Sequence, residues 1–328
     1  LCVTSVKKVF GVQKAFELIK SAKHIVFASH LNPDTDTLGS AIGLMLSLAF
    51  MQKRSSLYNV GAAPISLAFL PQVGTLTQEF PKDCDLVISF DCANKERLCL
   101  PNGDYKIINI DHHASNTLYG DENLVNSLAP SAASVVLEFL SALCIKPTKD
   151  AATCLYAALA DDTGFFQYGS LAKKLFLDAA YLIECGAEAP MVTHYLTQKE
   201  PLSKIKLHSS ILSTLEIMAD GKLAFLYMTR ETLKKAQANE EEADGVVETA
   251  RSIDGIEVGL FLRELENGDI RGSLRSKTAA DVDTIAAIFG GGGHIRAAGF
   301  TIKNDREFML VARMVALKIE QALEQVNG

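Results

Sequence analysis

Short continuous apolar runs alternate, through the first half of the chain, with longer segments whose apolar residues recur at helical spacing. Residues 24–29 (HIVFAS) read as a buried strand, followed by a polar turn and a helix over 37–51. Residues 85–90 (DLVISF) predict a second strand and 106–110 (KIINI) a third. Helices are predicted over 131–144 and 150–160, the latter running into ADDTGFF, and an amphipathic helix over the lysine-containing residues 1–20. Such alternation is the pattern of strand-helix-strand units and a mainly parallel sheet with flanking helices. The pattern changes after a stretch marked by Pro190 and Pro201. Beyond it come a strand at 223–227, an acidic helix over 229–252 and a hairpin of 257–265 with 270–276 turned at Asn267-Gly268. A short helix at 281–289, the glycine run 290–293 and a helix at 305–325 complete the chain. The fold class expected is α/β, with a first domain at 1–187, a helical linker at 188–210 and a smaller α/β domain at 211–328.

Composition narrows the class. A chain of 328 residues exceeds what one ordinary core supports, in agreement with two domains. The longest apolar runs, such as 41–51, are broken by Gly43 and Ser47 and fall short of the roughly 20 residues that span a bilayer, so no membrane segment is expected. The seven cysteines are scattered and never spaced C-x-x-C, which argues against a disulfide framework or a cysteine zinc site and for a reducing cytoplasm. A net charge of −7 disfavours a protein that coats long nucleic acid, which needs many cationic side chains along the phosphates. A local basic groove for a short substrate stays open.

The chemistry concentrates where the predicted strands end, in SHLNPDTD, DCANKER and DHHAS. In open parallel sheets ligands bind beyond the carboxyl ends of the strands. His30, Asp34 and Asp36 share one tight turn, a mixture of imidazole and carboxylate that suits Mn(II) or Mg(II), although the same turn could simply cap a helix. Asp91 directly follows an apolar strand, as either a site carboxylate or a turn former. Asp111-His112-His113 follows the next strand, and neutral histidine serves as ligand, proton shuttle or phosphate contact, or as a structural pair. Asp161-Asp162-Thr163-Gly164 lies where an alanine-rich helix stops. Adjacent helical residues point about 100° apart, so one aspartate at most should face a common site. Each cluster alone is ambiguous; four in one half of the chain, three at successive strand ends, point to a metal centre.

These residues resemble the DHH phosphoesterases, whose Asp-His-His stands here at 111–113, with HLNPDTD, ISFDCANKER and ADDTG in the same order. The second half resembles the DHH-associated C-terminal domain through GSLRS at 272–276 and GGGGH at 290–294 followed by Ala297-Ala298-Gly299. The chain is most similar to the short two-domain group of nanoRNases and 3'-phosphoadenosine-5'-phosphate phosphatases. The resemblance implies two divalent ions, Mn(II) foremost, one held by His30, Asp34 and Asp91 and the other by Asp36, Asp91, His112 and Asp162. Asp91 bridges them, Asp111 orients a histidine, and His113 reaches the substrate phosphate as hydrogen-bond donor or acid. A hydroxide between the ions would attack phosphorus in line.

In the second domain the resemblance assigns substrate binding to Arg275, Ser276, Gly291, Gly292, Gly293 and His294, with cleavage in the cleft between domains. Glycines allow exposed N–H groups to cradle phosphate, and a guanidinium can bind it bidentately. The implied activity is release of nucleoside monophosphates from short RNA fragments and removal of the 3'-phosphate from 3'-phosphoadenosine 5'-phosphate, without long duplex partners, and with a homodimer as the family's tendency. The alternatives are a cyclic-dinucleotide or linear dinucleotide phosphodiesterase, a pyrophosphatase or polyphosphatase, and a non-catalytic nucleotide-binding regulator. His24, His194 and His208 read as packing or surface residues. Arg97 either contacts phosphate or neutralises nearby carboxylates.

Overall fold

The three apolar runs form adjacent strands at the centre of one sheet, because a strand covered on both faces needs apolar side chains at nearly every position. The computed structural model describes residues 11–167 and 173–326 and divides into two units, Leu1–Lys199 and Glu200–Gly328. In chain order, unit 1 contains α1 (Val12–Ser21), β1 (His24–Ala28), α2 (Thr35–Ser47), β2 (Arg54–Tyr58), β3 (Leu86–Phe90), β4 (Lys106–Asp111) and β5 (Glu122–Val125). These are followed by α3 (Ala132–Ala142), α4 (Lys149–Asp162), α5 (Lys173–Glu184) and α6 (Ala189–Thr197).

The five strands are all parallel in the order β2-β1-β3-β4-β5. The chain leaves β1 outward to β2, then returns past β1 to β3. The crevice beyond the ends of β1 and β3 is therefore the topological switch point, where parallel sheets place ligands. Edge strands β2 (RSSLY) and β5 (ENLV) escaped the sequence pattern because they are short and partly polar, as edge strands commonly are.

One face of the sheet, including Ile25, Phe27, Ile88 and Ile108, packs on α2, α3 and α4. The other, with Val26, Ala28, Val87 and Ile107, lies beneath Phe80, Tyr105 and Tyr119. Helix α2 begins two residues earlier than its periodicity suggests, because Asp34 caps it by accepting the Thr37 N–H at 2.9 Å. It is buried almost all round, and Gly39 lets α4 approach closely: a Cβ there would lie 2.6 Å from the Cys154 carbonyl oxygen. The contact brings the start of α2 to the end of α4.

Unit 2 contains α7 (Leu202–Leu212), β6 (Glu216–Met218), β7 (Leu223–Met228), α8 (Arg230–Ala236), α9 (Val246–Ser252), β8 (Val258–Glu264) and β9 (Ile270–Ser276). Helix α10 (Val282–Ala287), β10 (Gly292–His294), β11 (Ala297–Ile302) and α11 (Phe308–Val326) follow. Its sheet runs β10-β11-β9-β8-β7-β6, antiparallel except for the β7/β8 pair. The single acidic helix expected over 229–252 is instead α8, a 3-10 turn at Glu240–Ala243 and α9. Left-handed backbone at Gln237 (φ 54°) and Gly245 (φ 90°) separates the pieces. In the segment 188–210, α6 packs in unit 1 through Val192, whereas α7 packs in unit 2 through Leu207 and Ile211. No described helix is long and apolar enough to cross a membrane.

Candidate metal centre

Parallel neighbours carry their carboxyl ends side by side, so the residues after β1, β3 and β4 converge. His30 follows β1, Asp91 follows β3, and Asp111, His112 and His113 close β4. Asp34 and Asp36 join them from the start of α2, and Asp162 from the end of α4. Two groups result. His30 Nε2 lies 3.9 Å from Asp34 Oδ2 and 3.8 Å from Asp91 Oδ2. His112 Nε2 lies 3.2 Å from Asp91 Oδ1, 3.6 Å from Asp162 Oδ2 and 3.9 Å from Asp36 Oδ2. Asp91 thus turns one oxygen toward each group.

The surrounding hydrogen bonds leave ligand atoms facing inward. The Leu31 carbonyl only accepts, so His30 Nδ1 at 2.8 Å carries the proton and leaves Nε2 with a free lone pair. His112 Nδ1 similarly faces the Ala129 carbonyl at 3.4 Å. This anchoring through the distal nitrogen is how metal-ligating histidines are held. Thr37 Oγ1 stands 2.7 Å from His30 Nε2, 2.9 Å from Asp34 Oδ1 and 3.3 Å from Asp91 Oδ2. Its single hydrogen cannot satisfy three acceptors. Asp91 Oδ1 is buried without a hydrogen bond, and the residue adopts left-handed backbone at φ 50°. An orphaned carboxylate oxygen among other donors, on backbone that disfavours an ordinary side chain, fits a cation site. The His30, Asp34 and Asp91 ligand atoms lie within 4.8 Å of one another, as do those of Asp36, His112 and Asp162.

Asp111 has a different part. Fully buried, it accepts the His112 N–H at 2.8 Å, the His113 N–H at 3.3 Å, an Asn116 amide N–H and His113 Nδ1 at 2.8 Å. It therefore points His113 Nε2 away from itself, on a ring 39% exposed. Asn59, buried at the end of the unpredicted strand β2, donates to the Ser29 hydroxyl and the His30 carbonyl, each at 2.7 Å, and fixes the His30 turn. Nothing in the sequence signalled Asn59. Asp161 hydrogen-bonds Thr35, and burial raises its carboxyl. His24 lies apart from the centre, between Asp83 and Ser56.

Charge at the centre is out of balance. Burial raises Asp36 well above the usual carboxylate range, and Asp91 and Asp162 add to it, although Asp36 also accepts N–H groups from Ala132 and Ala133 at the start of α3. Burial likewise pushes Asp162 up to about 6. Burial opposes ionisation of Asp91, but His112 and His30 outweigh it and hold the carboxyl low. Burial opposes charge on His112 too, and Asp91, Asp36 and Asp162 overcome it and raise the imidazole. Crowded buried carboxylates that draw protons from solvent are what a divalent cation would neutralise.

Residues 24–159 match the family model described as DHH family, N-terminal domain, and residues 220–327 that described as DHHA1 domain. The chain belongs to the DHH family. Two relatives are named bifunctional oligoribonuclease and PAP phosphatase NrnA. The Thermus thermophilus protein is 29% identical over 314 residues, 94% of this chain and 90% of its own length. The Bacillus subtilis protein is 30% identical over 284 residues, 85% and 89% respectively. An exopolyphosphatase-related protein from Bacteroides fragilis shares the fold, with a TM-score of 0.89 and 23% identity over 98% of this chain and all of that one. This DHH protein is a phosphoesterase, hence a hydrolase.

In the DHHA1 part of this DHH-family chain, His294, Ala297 and Arg275 stand opposite one another across β10, β11 and β9, so their side chains leave one face of the sheet. Gly292, Gly299 and Ser273 form the next row on that face. Arg275 Nε donates to Glu248 of α9 at 2.8 Å. Ser276 points the other way, 1% exposed, and donates to the Ile295 carbonyl at 3.3 Å. The glycine run is not a free loop. A Cβ on Gly291 would collide with the Gly299 carbonyl, and the Gly293 N–H donates to Asp283 at 2.6 Å. The structure brings Arg275, Gly292 and His294 to a common face and gives Ser276, Gly291 and Gly293 packing and hydrogen-bonding parts in the hairpin.

Proposed function

We propose that this DHH phosphoesterase hydrolyses short oligoribonucleotides to nucleoside monophosphates and PAP to AMP, with two divalent ions, Mn(II) by preference. The observation that carries the reading is Asp91, which offers one oxygen to each of two groups of ligand atoms. His30, Asp34 and Asp91 would hold one ion, and Asp36, Asp91, His112 and Asp162 the other. Oxygen donors with two imidazoles and no thiolate suit Mn(II). Such ions, when bound, neutralise developing phosphoryl charge and make water a stronger nucleophile. His113, held by Asp111 and raised by that bond against the opposing effect of burial, offers a proton or hydrogen bond to the leaving oxygen. Arg275 and His294, with the small residues between them, offer hydrogen-bond donors on one face of the sheet for a phosphate or nucleotide group. The names of the relatives in Thermus thermophilus and Bacillus subtilis support these substrates. The six described cysteines are free, in keeping with a cytoplasmic enzyme.

The test is a product time course with Mn(II) on RNA dimers to pentamers, PAP, cyclic di-AMP and pyrophosphate, using the wild-type chain and Asp91→Ala. Nucleoside monophosphates from dimers and AMP from PAP, both lost in the variant, are expected. Preferential turnover of pyrophosphate, binding without turnover, or full activity of Asp91→Ala would overturn the reading.

A further inference from the structure

Arg97 belongs to a 3-10 turn, Lys95–Leu98, that follows β3 and enters the crevice occupied by the metal centre. Two contacts fix its backbone: the Leu31 N–H donates to its carbonyl at 2.8 Å, and the adjacent Leu98 is fully buried. Its guanidinium reaches the rim of the centre, with Nη2 3.3 Å from His30 Nδ1. That nitrogen already gives its proton to the Leu31 carbonyl, so the guanidinium finds no acceptor there.

Four candidate ligand aspartates, Asp34, Asp36, Asp91 and Asp162, lie in the same region, with Asp111 and Asp161 close by, yet no described carboxylate pairs with Arg97 within 4.0 Å. Arg54, Arg230, Arg263, Arg275 and Arg313 each have such a partner, whereas Arg97 shares the lack of one among the described residues with Arg251, Arg271, Arg296 and Arg306 but is the one that reaches the metal centre. Arg97 therefore makes no direct ion pair with the carboxylates, the closest form of one of the two roles its sequence context allowed. It presents an exposed planar set of N–H donors, with no carboxylate partner, beside atoms that would hold cations. The ligand that such a fork matches is a tetrahedral oxyanion.

We propose that Arg97 is a phosphate-binding residue that grips non-bridging oxygens of the phosphoryl group being cleaved. The assignment rests on the metal-centre reading above and deepens it. Arg97 forms and breaks no covalent bond; it donates hydrogen bonds that strengthen as charge builds on those oxygens. Its role differs from that of Arg275, whose Nε is tied to Glu248 and whose strand belongs to the other unit. Arg97 should serve any phosphodiester, with or without a nucleoside.

The experiment compares wild type, Arg97→Ala and Arg97→Lys, all loaded with Mn(II), on an RNA dinucleotide and on bis(p-nitrophenyl) phosphate, with Mn(II) affinity measured by calorimetry. Arg97→Ala should lower kcat/KM on both substrates by about 100-fold, the scale of losing one charged donor to a transition state. Lysine should recover part of the loss and added guanidinium should stimulate the alanine variant, while Mn(II) affinity changes less than about threefold, because the ligands are intact. Unchanged turnover, loss on the dinucleotide alone, or an equal loss of Mn(II) affinity would overturn the proposal. If the wild type cleaves the aryl diester but no RNA fragment, the RNA substrate assignment fails, and the aryl diester alone decides the role of Arg97.

Discussion

Replacing Gly39 by alanine tests whether helix packing sets the metal-ligand spacing. A Cβ at this position would lie 2.6 Å from the Cys154 carbonyl oxygen, 2.9 Å from Ala158 Cβ and 3.3 Å from Ala158 N, all on α4. Ordinary contact begins at 3.4 Å, so α2 and α4 must separate by about 0.8 Å, because a helical carbonyl cannot rotate away as a side chain can. Overpacking of this kind costs about 1–3 kcal/mol, against about 0.5–1 kcal/mol that alanine ordinarily gains over glycine in a helix. A net destabilisation of about 1–2 kcal/mol is expected in urea denaturation of the metal-free protein. The larger effect should fall on the centre, because α2 carries Asp36 and α4 carries Asp162. Ligand distances tolerate only about 0.2 Å, so Mn(II) affinity measured by calorimetry should fall at least about tenfold. Gly43→Ala is the control. Its Cβ meets Leu155 Cγ at 2.6 Å and Cδ2 at 2.7 Å, with the Ala151 carbonyl oxygen only slightly crowded at 3.3 Å, so the clash is mainly with a side chain and Mn(II) affinity should change less. If Gly39→Ala were as stable as wild type and bound Mn(II) equally well, the helix contact would not govern the site.

Three further outcomes are expected. Asn59→Ala leaves the His30 carbonyl and Ser29 hydroxyl without their 2.7 Å donors, so it should destabilise by about 2 kcal/mol and weaken Mn(II) binding about tenfold; calorimetry showing unchanged affinity would remove Asn59 from the support of the site. Glu257 is opposed by burial but accepts N–H groups from Ala280, Thr278 and Ala279, which hold its carboxyl at about 2. Its folded value is depressed, so its contribution is complete above about pH 4.5 and disappears as pH falls toward 2; discounted for partial exposure it amounts to about 1–2 kcal/mol. Urea titrations of wild type and Glu257→Gln should therefore converge below pH 3, and parallel pH dependence would refute the assignment. Arg275→Ala should reduce activity on a nucleotide dimer and spare bis(p-nitrophenyl) phosphate; equal losses on both would end the anchoring role.

Much of this protein is legible in one dimension because its signals are local. The runs at β1, β3 and β4 specify buried strands by continuous apolar character, and Asp91 and Asp111-His112-His113 stand directly after two of them. Chain direction and parallel pairing then gather those residues at one edge. The edge strands were hidden because their half-polar sequences become strands only through a neighbour. The break in the 229–252 helix depends on left-handed backbone at Gln237 and Gly245, which helical periodicity does not register. Tertiary structure alone decided which way side chains turn and what they meet: Ser276 into the hairpin, Asn59 onto the His30 turn, the oxygens of Asp91 toward two different groups. It also bears on the two roles open to Arg97. A sequence shows that a cation stands among aspartates, but only three-dimensional distances show that none of them pairs with it. Residue type fixes what a group can do, and burial, direction and partners, which arise only on folding, fix what it is left free to do.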